Sequence, residues 1–271
     1  MARTTRPDDW VQHASGAGKI ERIEAYFSGH GYSPHRHDTY AIGRTLAGVQ
    51  SFQYRRTQRH SLPGTILVLH PDELHDGQAG TEAGFHYRMA YIQPSLVQQI
   101  IGGKPLPFIE GGLSSDPRLQ AALAPLLQPT DARVDPMEEA DALYDLAHGL
   151  VAVAGQRHTR RHPDFIAVER ARAYIDDMPE QTITLDTLAV ASGLDRWHLC
   201  RDFRALYGTS PYRYLTMRRL DFARRLMLSG QTIAESALAA GFFDQSHMAR
   251  QFTSAYGVPP SRWLKRLVQP R

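Results

Sequence analysis

The feature that most restricts how this chain can fold is an internal repeat in its last third. The run from Thr184 to Leu194, TLDTLAVASGL, lies over the run from Thr232 to Phe242, TIAESALAAGF, at an offset of 48 residues. After one inserted residue, Phe243, the offset becomes 49. Asp195, Arg201, Phe203, Tyr207, Gly208 and Pro211 then fall on Asp244, Arg250, Phe252, Tyr256, Gly257 and Pro260. Two copies are too few for a stacked solenoid, so a duplicated module is expected.

Each copy has the grammar of a helix–turn–helix. A short helix of small and apolar residues ends at Gly193 or Gly241, and an aspartate, Asp195 or Asp244, is placed to cap the next helix. The second helix carries one apolar stripe, Leu199, Phe203 and Leu206 or Met248, Phe252 and Ala255, and stops at Gly208 or Gly257. Between the copies, residues 211–228 read as one helix, opened by Ser210-Pro211 and closed by Ser229-Gly230. In such motifs the second helix enters the major groove of duplex DNA and its early residues reach base edges.

The residues that carry this grammar resemble the AraC/XylS family of bacterial transcription regulators. They are Trp197 to Phe203, the Gly208–Pro211 run, Gly241-Phe242 with Gln245-Ser246-His247-Met248, Arg250 and Phe252, and Tyr256 to Trp263. The resemblance covers about 100 residues and implies a seven-helix DNA-binding domain with two helix–turn–helix units, about 184–207 and 232–256. On the family pattern Arg196, Trp197, Cys200 and Arg201 face the groove from the first unit, and Asp244, Gln245, Ser246, His247 and Arg250 from the second. Arg pairs with guanine, Gln with adenine, and aromatic or small apolar groups touch the thymine methyl. Arg204, Arg218 and Arg219 are expected at phosphates.

The first half differs in texture. Residues 20–27, 49–54, 64–69 and 85–92 form short apolar or alternating runs separated by Gly and Pro, which predicts antiparallel strands closing a barrel or sandwich. Helical texture begins after Pro94. In residues 135–156 the residues Leu143, Ala147, Leu150 and Ala154 form a stripe, here taken as a candidate dimer contact. His35-Arg36-His37 and Pro63-Gly64 resemble the cupin-like sensor domain of the same family. His35 and His37 share a face if they lie on a strand, and His75 could approach them. Three histidines suffice for a metal on paper, but the cupin pattern wants a carboxylate where Ala41 and Ile42 stand. The preferred reading is a pocket without cofactor, in which His35, His37, Tyr40, Arg44, His75 and Tyr87 bind a small polar effector; a metal at the three histidines is the minority reading.

Charge follows the same division: −3 over residues 1–158 and +6 over residues 159–271, with ten of the 13 histidines in the first part. A basic C-terminal part suits a polyanion. Cys200 is the only cysteine, so an internal disulfide or a multi-cysteine zinc site is excluded. No run approaches the roughly 20 apolar residues of a membrane span, and no catalytic motif stands out. The expectation is therefore a cytoplasmic protein of two domains, not an enzyme. An N-terminal arm (1–18) precedes an all-β cupin-like effector-binding and dimerisation barrel with trailing helices (19–157). An all-α DNA-binding domain (158–271) follows, its two helix–turn–helix motifs joined by a long helix. Its partners would be promoter DNA, a small polar effector, a second copy of the chain and, for an activator, RNA polymerase. Alternatives are a metal-dependent cupin enzyme tethered to DNA and a constitutive architectural DNA binder.

Overall fold

The computed structural model describes residues 9–14, 20–155 and 162–268. They form two compact units, the first drawn mainly from residues before 156 and the second mainly from residues after 161. Most of the expected arm lies outside the described residues, as do residues 156–161 at the expected boundary between the two domains. Within the expected arm, Trp10–His13 is a strand (β1) whose Trp10 and His13 face Tyr26 and Ile23.

Two sheets make up the first unit. The larger contains β1, β2 (Glu21–Phe27), β4 (Tyr40–Gly48), β7 (Ile66–Leu69), β9 (Phe85–Ile92) and β10 (Leu113–Ser114), in the order β1-β2-β9-β4-β7-β10. The smaller contains β3 (His30–His35), β5 (Gln50–Tyr54), β6 (Thr57–Ser61) and β8 (His75–Ala79), in the order β3-β8-β5-β6. Alternation sorts side chains to the two faces of the larger sheet. Ile23, Ala25, Ala41, Leu67, Tyr87 and Met89 face inward and pack with Phe52 and Tyr54 of the smaller sheet. Ile20, Tyr40, Ile42, Ile66, Val68, Ala90 and Ile92 face outward, onto three helices.

Those helices are α1 (Pro94–Ile101), α2 (Pro117–Leu123) and α3 (Pro136–Ala154). Asp135 caps α3 by accepting from the Met137 and Glu138 N–H groups, with Pro136 in the first turn. Ala147 and Leu150 are 0% exposed, and Leu143 and Ala154 pack against the same cluster. The stripe read as a candidate dimer contact therefore faces this unit's own core. An apolar stripe on an amphipathic helix marks a buried face without saying what buries it.

The second unit contains α4 (Phe165–Asp177), α5 (Leu185–Ser192), α6 (Arg196–Tyr207), α7 (Pro211–Leu228), α8 (Ile233–Ala239), α9 (Gln245–Tyr256) and α10 (Pro260–Val268). The repeat appears as α5–α6 and α8–α9. Thr184 and Thr232 open the two copies with capping boxes, closed by Thr187 and Glu235. Two small cores are built side by side on α7. Tyr214 and Leu215 join Val168, Leu188, Leu199, Phe203 and Leu206, whereas Met217, Leu220, Ala223 and Met227 join Ala237, Met248, Phe252 and Ala255. At 18 residues α7 is about 27 Å long, so one rigid element holds both copies.

Candidate nucleic-acid interface and ligand face

The two repeat copies present equivalent helices. In α6, Asp195 Oδ1 accepts from the N–H groups of Trp197 (2.9 Å) and His198 (3.1 Å). The His198 side chain contributes most to lowering the Asp195 carboxyl, which is held down at about 2 with further help from the backbone bonds. In α9, Asp244 Oδ1 accepts from His247 N–H at 2.6 Å. The apolar stripes Leu199/Phe203/Leu206 and Met248/Phe252/Ala255 are fully buried or nearly so, which fixes the opposite faces outward.

On the outward face of α6, Trp197 is 86% exposed; Arg196, Arg201 and Arg204 are exposed and Cys200 is half-buried. Arg196 Nε lies 2.6 Å from Asp186 Oδ1, and Arg204 Nη1 donates to the Cys200 carbonyl at 3.3 Å. Arg201 folds back onto Asp202, with Nε and Nη2 2.8 and 2.7 Å from Oδ1. Asp202 is buried and also accepts from Asp164 N–H at the start of α4 (3.1 Å), so Arg201 helps to fix α4 to α6. On α9, Gln245, Ser246 and Arg250 are exposed. Asp244 is exposed too, but one of its oxygens is committed to the cap. The half-buried His247 ring packs edge-on against Phe242, 5.5 Å between centroids.

Two residues expected at phosphates are engaged inside the unit instead. Arg218 lies mostly buried, 3.3 Å from Asp221 on its own helix. Arg219 donates from Nε and Nη2 to the carbonyls of Pro179 and Gln181, both at 2.7 Å. Sequence reading sees arginines on a helix but not the carbonyl-rich turn that α7 crosses. Conversely, the sequence marks Phe243 only as the residue inserted between the copies. It is 87% exposed in the turn before α9, beside the exposed Asp244. The insertion was itself the available signal.

The six residues expected to share an effector pocket are not brought together as one group. By their contacts His35 and His37 fall with the second unit and His75 with the first. His75 is 4% and His37 8% exposed, and His75 Nδ1 contacts the Glu73 carbonyl at 2.9 Å. Tyr87 belongs to the inward face, and its hydroxyl donates to Tyr32 Oη at 2.8 Å. Tyr40 and Arg44 lie on the outward face of β4. Tyr40 is fully buried, its hydroxyl donating to the Pro107 carbonyl at 2.6 Å, and so braces the segment after α1. A further buried histidine, His70, accepts the Ile109 N–H at Nε2 (2.8 Å), bonds Tyr54 through Nδ1 and stacks on Phe108. It ends a fully apolar strand directly before Pro71, a position where a polar ring needs a partner.

Comparison with known proteins agrees with this architecture. Family models described as an AraC-like ligand binding domain and a helix-turn-helix domain match residues 17–147 and 188–266. The chain is 24% identical over 237 residues to the HTH-type transcriptional regulator YbfI of Bacillus subtilis, spanning 81% of this chain and 83% of that protein. It is 31% identical over 85 residues to the multiple antibiotic resistance protein MarA of Escherichia coli, spanning 31% of this chain and 67% of that protein. ToxT from Vibrio cholerae shares the fold, with a TM-score of 0.63 and 13% identity, over 96% of this chain and 99% of that one. The ligand-binding and helix-turn-helix matches, in the order of the two units, establish that this chain belongs to the AraC family of DNA-binding transcription regulators.

Proposed function

We propose that α6 and α9 read two successive major-groove faces of one duplex and that a small polar effector bound by the first unit controls this reading. The observation that carries the first part is the twofold occurrence of one capped helix with its apolar stripe buried and its polar face exposed, both copies mounted on α7. Arg196, Trp197, Cys200 and Arg201 serve the first face, and Gln245, Ser246, His247 and Arg250 the second. Asp244 acts chiefly as the cap that holds these positions, and Arg204 reaches a phosphate. Successive major-groove faces are roughly 34 Å apart, which α7 and the widths of its two attached modules span. A homodimer, RNA polymerase as a partner for activation, a cytoplasmic location and the lack of an enzymatic activity belong to the same reading. Among the described residues no helix is long and apolar enough to cross a membrane.

Selection from a random duplex library tests the proposal. The expected product is a site with two blocks about one helical turn apart; binding without an enriched motif would favour an architectural binder instead.

A further inference from the structure

On the outward face of the larger sheet, a row of directly paired residues runs Glu24–Arg88–Arg44–Ile66 across β2, β9, β4 and β7. Directly opposed side chains in antiparallel strands sit about 5 Å apart at Cβ, and like charges there repel. Arg88 is well compensated. Its Nε and Nη2 lie 2.8 and 3.3 Å from the Glu24 carboxylate, and its Nη1 donates to the Leu127 carbonyl at 3.2 Å. Glu24 also holds His86, at 2.8 Å. Its two oxygens are therefore committed, and Arg44 stands next in the row with nothing of its own. Arg44 Nε is buried without a hydrogen-bond partner, and among the described residues no carboxylate pairs with this guanidinium.

Arg44 instead lines a cavity of about 130 Å³ between the sheet and α2. Ile66, Leu123 and Leu127 wall it, all of them buried. At its mouth Gln120 Nε2 reaches the Gly64 carbonyl at 3.4 Å, both residues exposed. A cavity of about 150 Å³ accepts a benzene-sized guest. An apolar body of that size, with one negative charge at one end, matches apolar walls and a lone guanidinium.

We infer that this cavity is a binding site for a small organic carboxylate, whose charge is held by Arg44 and whose apolar part lies along Ile66, Leu123 and Leu127. The site is separate from the space between the two sheets, because Arg44 points to the opposite side of the larger sheet from Tyr87. A carboxylate on an arginine forms charge-assisted hydrogen bonds and relieves the repulsion along the row. An inorganic anion meets the guanidinium equally well but leaves the apolar walls unfilled.

The test uses the full chain without DNA, so its outcome is independent of the DNA-reading proposal. Thermal unfolding is followed against benzoate, with benzamide as the neutral isostere and sulfate as the inorganic anion. Benzoate is expected to raise the midpoint saturably, with a Kd of about 1 mM or tighter for a ligand of this size; benzamide and sulfate are not. Arg44→Gln, which removes an uncompensated charge and leaves the fold intact, should weaken the benzoate response at least about tenfold. Leu123→Trp, which fills the cavity, should abolish it and guards against an indirect effect of the charge change. No saturable response, an undiminished response in Arg44→Gln, or an equal response to sulfate would each overturn the inference.

Discussion

Glu24 shows how a single residue sets the character of the first unit's outer layer. Burial pushes its carboxyl up, yet hydrogen bonds from Arg88 and His86 and their charges outweigh this and hold it below the usual carboxylate value. A lowered value in the folded state means that the group stabilises the fold above the ordinary carboxylate range and that this contribution is lost as pH falls through the lowered value. With its side chain only 11% exposed, Glu24→Ala leaves Arg88 buried and uncompensated, and should cost about 3–5 kcal/mol in urea unfolding at neutral pH. Glu24→Gln should flatten the acid limb of the stability profile; an unchanged acid limb would show that other carboxylates govern it. Sequence reading grouped Tyr40 and Arg44 with Tyr87 because period-two alternation does not say which face is which. β4 is buried on both faces over most of its length, so it has no solvated side to fix the register, and only the partners across the sheet decide.

At the scale of elements, the helix ends were the most legible. Asp195, Ser210 and Asp244, the helix starts named from sequence, all accept backbone N–H groups there. Capping is a local preference that needs no knowledge of tertiary contacts. The turn at Gly241 was equally legible, and the structure adds its reason: φ is +81°, and a Cβ there would lie 2.4 Å from the Glu180 carbonyl oxygen. What was not legible is that α7 divides its apolar residues between two cores, since one helix with a broad apolar surface reads the same whether one neighbour or two cover it. The division predicts local behaviour. Leu220→Ala should cost about 2–5 kcal/mol, with faster amide exchange concentrated in α8 and α9. Uniform acceleration through α4 to α6 as well would mean that the two cores form one cooperative unit.

For the whole molecule, charge, repeat and fold lead to one account. The part carrying the positive excess is the part with two outward-facing helices, and the acidic, histidine-rich part carries the ligand-binding fold. The duplication was visible in sequence because the buried stripes and caps that define each copy are constrained by packing. The proposed reading residues differ between copies, Arg196-Trp197 against Gln245-Ser246, which is what two heads facing different bases require. The most direct test of that claim is to repeat the duplex selection with Trp197→Ala and Arg250→Ala. Both side chains are exposed, whereas Arg201→Ala would also disturb the Asp202 contact that joins α4 to α6. With two separate reading helices, Trp197→Ala erases one block of the selected site and Arg250→Ala the other, each leaving its companion block enriched. Loss of both blocks in either variant, or two sites indistinguishable from that of the unaltered protein, would contradict two separate reading heads on one duplex.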